Sequence, residues 1–155
     1  MTTKIIGPMC SGKSHKLIST ITPRTLVIKP STFNRDGAKI ISRGHRKTIN
    51  CQLIEPTLQA VKGILNHDTI LIDEAQGFDL ETLEWLSANR KCIFCGLDFW
   101  ANGKLTSLAL LDVEETVTLA AMCRCGALAR YTKWISGDDP VTAEYEPVCL
   151  RCWNE

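Results

Sequence analysis

The sequence has no apolar run approaching the ~20 residues that a membrane-crossing helix needs, so no such span is expected. It also has almost no charge excess. A net charge of +1 removes the general electrostatic case for a nucleic-acid or anionic-membrane partner. Neither an internal repeat nor a low-complexity tract is present, which argues against a repeat array. No secretory leader pattern opens the chain, and the expected compartment is the cytosol. What remains is 155 residues, 45% hydrophobic and 23% charged. That fits one globular domain, or one domain with a small appendage, and allows a sizeable core.

Cysteine is the opposite case: there are eight. In a reducing compartment a disulfide framework is not expected. Their distribution is uneven. Cys10, Cys51, Cys92 and Cys95 are scattered, whereas Cys123, Cys125, Cys149 and Cys152 form two close pairs near the end. Four thiolates from two such pairs can close a tetrahedral structural Zn²⁺ site. The first pair has a gap of one residue, and Gly126 would help the chain turn there. Cys92 and Cys95 share the C-x-x-C spacing but fall within an apolar strand. Side chains three apart on a strand point to opposite faces, so both read as packed core thiols. Cys10 and Cys51 have no case beyond packing.

The chemistry concentrates at Gly7-Pro8-Met9-Cys10-Ser11-Gly12-Lys13-Ser14, a G-x-x-x-x-G-K-[ST] loop. Ile5-Ile6 before it reads as a strand, and Lys13 to Thr22 after it lacks Gly and Pro and can be helical. Glycines let backbone N–H groups turn inward around phosphate oxygens. Lys13 would neutralise the β- and γ-phosphates, and the Ser14 hydroxyl would ligate Mg²⁺.

Leu26 to Lys29 reads as a second strand, stopped by Pro30. Residues 31–50, polar and basic with Arg35, Arg43, His45 and Arg46, read as a surface loop beside the nucleotide end. Pro56 can open a helix to about Asn66, with Leu58, Val61 and Leu65 on one face. Thr69 to Ile72 is a strand ending in Asp73-Glu74, which places carboxylates at a strand's carboxyl end beside the phosphate loop. Asp79 can cap a helix carrying Leu80, Leu83 and Leu86. Cys92 to Cys95 is the next strand, 105–111 a short helix, and Val117 to Ala121 the last core strand. Strands alternating with helices imply an α/β fold, a parallel sheet with helices on both faces.

The phosphate loop, Leu71-Ile72-Asp73-Glu74-Ala75-Gln76, Cys95-Gly96-Leu97-Asp98 and the terminal cysteine pairs, in this order, resemble the type II thymidine kinases. Lys29-Pro30, Asn34-Arg35-Asp36, Ile41-Ser42-Arg43 and Val148 to Trp153 are similar to further segments of that family. The resemblance covers nearly the whole chain. It implies a RecA-like P-loop domain over residues 1–120 and a zinc-ribbon lasso lobe over 121–155. It also implies phosphoryl transfer from ATP-Mg²⁺ to the 5′-hydroxyl of thymidine. Glu74 matches the family's general base, Asp73 a Mg²⁺ holder acting through water, and Arg35 an arginine near the phosphates. The loop from Gly7 to Ser14, with Asp73, Glu74, Ala75 and Gln76, would bind ATP-Mg²⁺. Phe99 and Tyr145 match substrate-facing aromatics, with Trp100 as the alternative to Phe99. The segment after Gly96-Leu97 departs from the family pattern. So does the lasso, roughly 133–147, which is short and lacks a Gly-Gly before Tyr145. A small-molecule nucleoside is the implied partner, and a homo-oligomer, commonly a tetramer, the implied assembly. Two other readings share the motifs: a helicase-like ATPase motor, and a non-catalytic nucleotide-binding zinc-ribbon regulator.

Overall fold

The computed structural model describes residues 1–155 except Leu65, Asn66 and Val141, and leaves out the side chain of Arg43. Strand β1 (Thr3–Ile6) leads through the phosphate loop into helix α1 (Lys13–Ile18) and strand β2 (Thr25–Pro30). A hairpin follows, β3 (Lys39–Ser42) and β4 (Lys47–Asn50), then β5 (Gln52–Ile54) and α2 (Leu58–Lys62). Next come β6 (Thr69–Ile72), α3 (Leu80–Asn89), β7 (Lys91–Gly96), α4 (Ser107–Leu110) and β8 (Glu115–Thr118). The C-terminal part holds two small hairpins, β9 (Ala121–Met122) with β10 (Leu128–Ala129) and β11 (Tyr131–Ser136) with β12 (Glu144–Val148), and ends in α5 (Leu150–Asn154).

The main sheet runs β5-β2-β6-β7-β1-β8, and every neighbouring pair is parallel. Its central strands are apolar and buried on both faces, as parallel sheets are: Ile70, Leu71 and Ile72 are enclosed, and so are Cys92, Phe94 and Cys95. Alternation sends these residues to opposite sides. Cys92 and Phe94 join the larger core with Leu83, Leu86 and Leu108 from α3 and α4. Cys95 joins a smaller core with Leu17 of α1 and Ile40 of β3. The expected packing of these two thiols on opposite faces is what the fold shows.

The second face differs from expectation. Residues 31–50 are not simply a surface loop, because β3 and β4 fold down and supply Ile40 and Ile49 to the smaller core. Lys29 of β2 anchors the hairpin, its Nζ donating to Lys39 O at 2.8 Å. The ring of His45, beyond β3, stacks on His15 of α1 at 3.7 Å. Helix α1 stops at Ile18 rather than Thr22. The hydroxyls of Ser19 and Thr20 donate back to Lys16 O and Leu17 O, both at 2.6 Å, which satisfies the last carbonyls. Thr57, not Pro56, caps α2, with its hydroxyl accepting from Ala60 N at 3.2 Å. That helix ends at Lys62, and the expected extension through Leu65 and Asn66 lies outside the described residues. Asp79 caps α3 as read, accepting from Thr82 N at 2.8 Å.

Two pieces of support were not visible in sequence. Lys4, on β1, is buried, and its Nζ donates to Leu108 O, Ala109 O and Leu111 O at 3.3, 3.0 and 2.6 Å. A lone ammonium thus satisfies carbonyls that end the one-turn helix α4. The last sheet strand begins at Glu115, two residues before the expected Val117, because it pairs along β1 from Thr3. Among the described residues no helix is long and apolar enough to cross a membrane.

Candidate active site

The phosphate loop leaves the carboxyl end of β1, and the acidic dyad leaves the carboxyl end of β6, with β7 between them. Both therefore open at one end of the sheet, onto a cavity of about 1050 Å³. Lys13, Ser14, Arg35, Asp73, Glu74 and Gln76 all line it.

Backbone conformation makes the loop possible. Gly7 sits where a Cβ would lie 2.5 Å from Leu119 O, and Gly12 adopts a left-handed φ of 83° as it opens α1. Cys10 takes a left-handed φ of 59°, so a non-glycine residue carries strain inside the loop. Its thiol is exposed rather than packed. Lys13 folds back over the loop, its Nζ donating to Pro8 O at 2.5 Å and to Ser11 Oγ at 3.4 Å.

The acidic corner is strained and crowded. Asp73 is buried. Desolvation first, and then the neighbouring Glu74 charge, push its carboxyl up to about 7, against the pull of Lys13 and Lys29. A divalent cation between Asp73 and the Ser14 hydroxyl would relieve that penalty, so the donor set fits Mg²⁺. Glu74 stands at φ 52°, which turns the chain into a 3₁₀ turn (Ala75–Gly77). Gln76, only 3% exposed, holds this corner together. Its Nε2 donates to Glu74 Oε2 at 2.6 Å, and its Oε1 accepts from Leu97 N at 3.1 Å. The amide reaches across only because β7 ends in Gly96, where a Cβ would collide with Gln76 Oε1. Ala75, expected near ATP, is fully buried in the larger core and does not line the cavity.

A model of the thymidine kinase family matches residues 2–153. The chain belongs to the thymidine kinase family. It is similar to the thymidine kinase of Pseudothermotoga lettingae, at 30% identity over 99% of this chain and 94% of that one. The thymidine kinase of Deinococcus radiodurans is 32% identical, with 94% of this chain and 80% of the relative covered. That of Choristoneura fumiferana entomopoxvirus is 31% identical, with 97% and 95% covered. Membership of the thymidine kinase family makes the chain a kinase that uses ATP.

In this member of the thymidine kinase family the four paired cysteines converge. The ligand atoms of Cys123, Cys125, Cys149 and Cys152 all lie within 4.8 Å of one another, and Cys125 Sγ is 3.6 Å from Cys149 Sγ. A tetrahedron with Zn–S legs of about 2.3 Å has edges of about 3.8 Å, so the set fits zinc. The N–H groups of Cys125 and Cys149 hold the Cys123 thiol down to about 6, while burial and the neighbouring sulfurs push Cys152 up to about 12. Four thiolates cannot all ionise side by side without a cation among them.

The substrate-facing aromatics redistribute. Tyr145 lines the cavity. Phe99 does not: it bridges to Leu105 and packs on Tyr131 at 5.0 Å, and Tyr131 stacks on Trp153 at 5.6 Å. Trp100, the alternative, does line the cavity, as does Trp134. Lys29, Thr132 and Trp134 are among the cavity-lining residues that sequence reasoning did not assign to the site. Their one available signal was a basic, hydroxyl or aromatic residue on a short strand, which many strands share.

Proposed function

We propose that the chain transfers the γ-phosphoryl group of ATP to the 5′-hydroxyl of thymidine, giving thymidine monophosphate and ADP. The observation that carries this reading is that the phosphate loop and Glu74 line one cavity large enough for both substrates. Loop amides and Lys13 hold the β- and γ-phosphates, and Arg35 faces the same space. When bound, Mg²⁺ held by Ser14 and Asp73 neutralises charge on the phosphate oxygens. Glu74 takes the proton of the 5′-hydroxyl as that oxygen bonds to the γ-phosphorus and the bond to the bridging oxygen of ADP breaks. With Oε2 engaged by Gln76, Oε1 is the oxygen assigned to take the proton in this reading. Tyr145 and Trp100 contribute to the nucleoside end.

Residues 1–120 form the kinase domain in this reading, and 121–155 form a lobe closed by a structural Zn²⁺ on the four paired cysteines. A cytoplasmic homo-oligomer without a nucleic-acid partner goes with it. The deciding assay incubates purified protein with ATP-Mg²⁺ and a panel of nucleosides, with and without DNA. A monophosphate product that is independent of DNA is expected. DNA-stimulated hydrolysis without nucleoside would replace this reading with that of a motor, and binding without turnover with that of a regulator.

A further inference from the structure

We propose that the indole of Trp134 is the wall on which the substrate's base stacks. The inference deepens the nucleoside-kinase reading and rests on it. Strand β11 is docked on the phosphate loop: Met9 N donates to Thr132 Oγ1 at 3.1 Å, and Thr132 is buried. Residues two apart on a strand share a face. Trp134 therefore points the way Thr132 does, displaced by about 7 Å along the strand. The cavity lining follows this alternation, with Thr132 and Trp134 on it and Tyr131 and Lys133 off it. Lys133 instead donates to Cys152 O at 3.1 Å, on the metal side of the strand. Trp134 thus lies beyond the phosphate-loop contact, on the cavity that Glu74 also lines.

The ring is prepared for a flat partner. Trp134 and Tyr145 are direct cross-strand partners, and their rings meet edge-on at 5.6 Å and 61°. That contact holds the indole plane in place. Tyr145 is itself tied down, its hydroxyl donating to Pro140 O at 2.7 Å. Trp134 remains 40% exposed, a large apolar side chain facing open space. The strand register shifts just after it, between Trp134 and Ser136, and this brings Ile135 onto the cavity as well. The remaining aromatics of this lobe are already engaged with one another, Tyr131 between Phe99 and Trp153.

Stacking engages the flat face of the ring, which thymidine and deoxyuridine share apart from the 5-methyl group. The same loss is therefore expected for both when the indole is removed. Steady-state kinetics on zinc-replete protein should show Trp134→Ala raising KM roughly 10- to 100-fold for both nucleosides, with kcat little changed. Trp134→Phe should recover most of that loss. In a titration with thymidine alone, tryptophan fluorescence should respond in the wild type and respond far less in Trp134→Phe, which keeps the other three of the four tryptophans, the cavity-lining Trp100 among them. Wild-type KM in Trp134→Ala, or a loss confined to one nucleoside, overturns the proposal and leaves the ring as packing for Tyr145. Should the wild type phosphorylate no nucleoside, the kinase reading fails separately. The fluorescence titration then decides alone: a nucleoside response that falls sharply in Trp134→Phe sustains the stacking wall, and a response unchanged by that substitution, or silence in the wild type, overturns it too.

Discussion

The two ends of the cavity are built by different means. At the phosphate end, one run of eight residues and one acidic dyad leave the tips of parallel strands, and local backbone conformation does most of the work. At the other end, Trp134 and Tyr145 come from a hairpin that reaches the main sheet through long-range contacts: the Met9–Thr132 hydrogen bond, the Asp98–Arg130 ion pair at 3.3 Å and the Phe99–Tyr131–Trp153 stack. The first end depends on what its own residues are. The second depends on whether a small lobe stays closed. Damage should accordingly be chemical and local at one end, structural and collective at the other.

The largest effect is expected where closure is lost. Cys149→Ser should lower zinc content, melting temperature and turnover together, since structural zinc in small domains is worth about 10 kcal/mol or more of folding free energy at neutral pH. Full zinc occupancy with an unchanged melting curve would count against a metal clip. Next comes Glu74→Gln, which should keep ATP binding while kcat falls by ~100-fold or more, with zinc content unaffected. Near-normal turnover would remove Glu74 from the base role. Gln76→Ala leaves the carboxylate in place but free to swing. It should lower kcat roughly 10- to 100-fold with KM nearly unchanged, and equal losses in binding and turnover would instead mark Gln76 as a nucleotide contact. Asp79→Ala is the smallest. It removes the α3 cap far from both ends and should lower stability by ~1 kcal/mol with kinetics unchanged, as a denaturant titration would read.

The same contrast governs what the sequence made legible. Gly7 to Ser14 could be read because each residue type answers a backbone or charge requirement within eight positions. The paired cysteines could be read because thiol chemistry restricts what four of them can do together. Strands β2, β6 and β7 announced themselves as continuous apolar runs, as strands buried on both faces do. The hairpin of β3 and β4 did not. Its outward positions are polar apart from Ile41, and its two core contacts, Ile40 and Ile49, lie nine residues apart, so local composition resembled a loop. Lys4 looked like a polar N-terminus, because the carbonyls it satisfies lie more than a hundred residues away. Trp134 and Phe99 exchanged prominence for a similar reason. A resemblance assigns a ring to a position, but which face of a short strand meets the cavity is decided by the register of β11 with β12 and by the docking of Thr132.

That docking bears on how a small molecule gets in. With a loop amide bonded to Thr132, a salt link at Arg130 and three rings in a row beside them, the lobe is latched to the sheet at several separate points. Swinging it aside as a rigid gate would unfasten all of them at once. The far end of the hairpin is held differently: Tyr145 grips Pro140, and Ala143 N donates to Asp139 O at 2.8 Å. Traffic through the cavity should therefore leave the cysteine-bearing palm where it is.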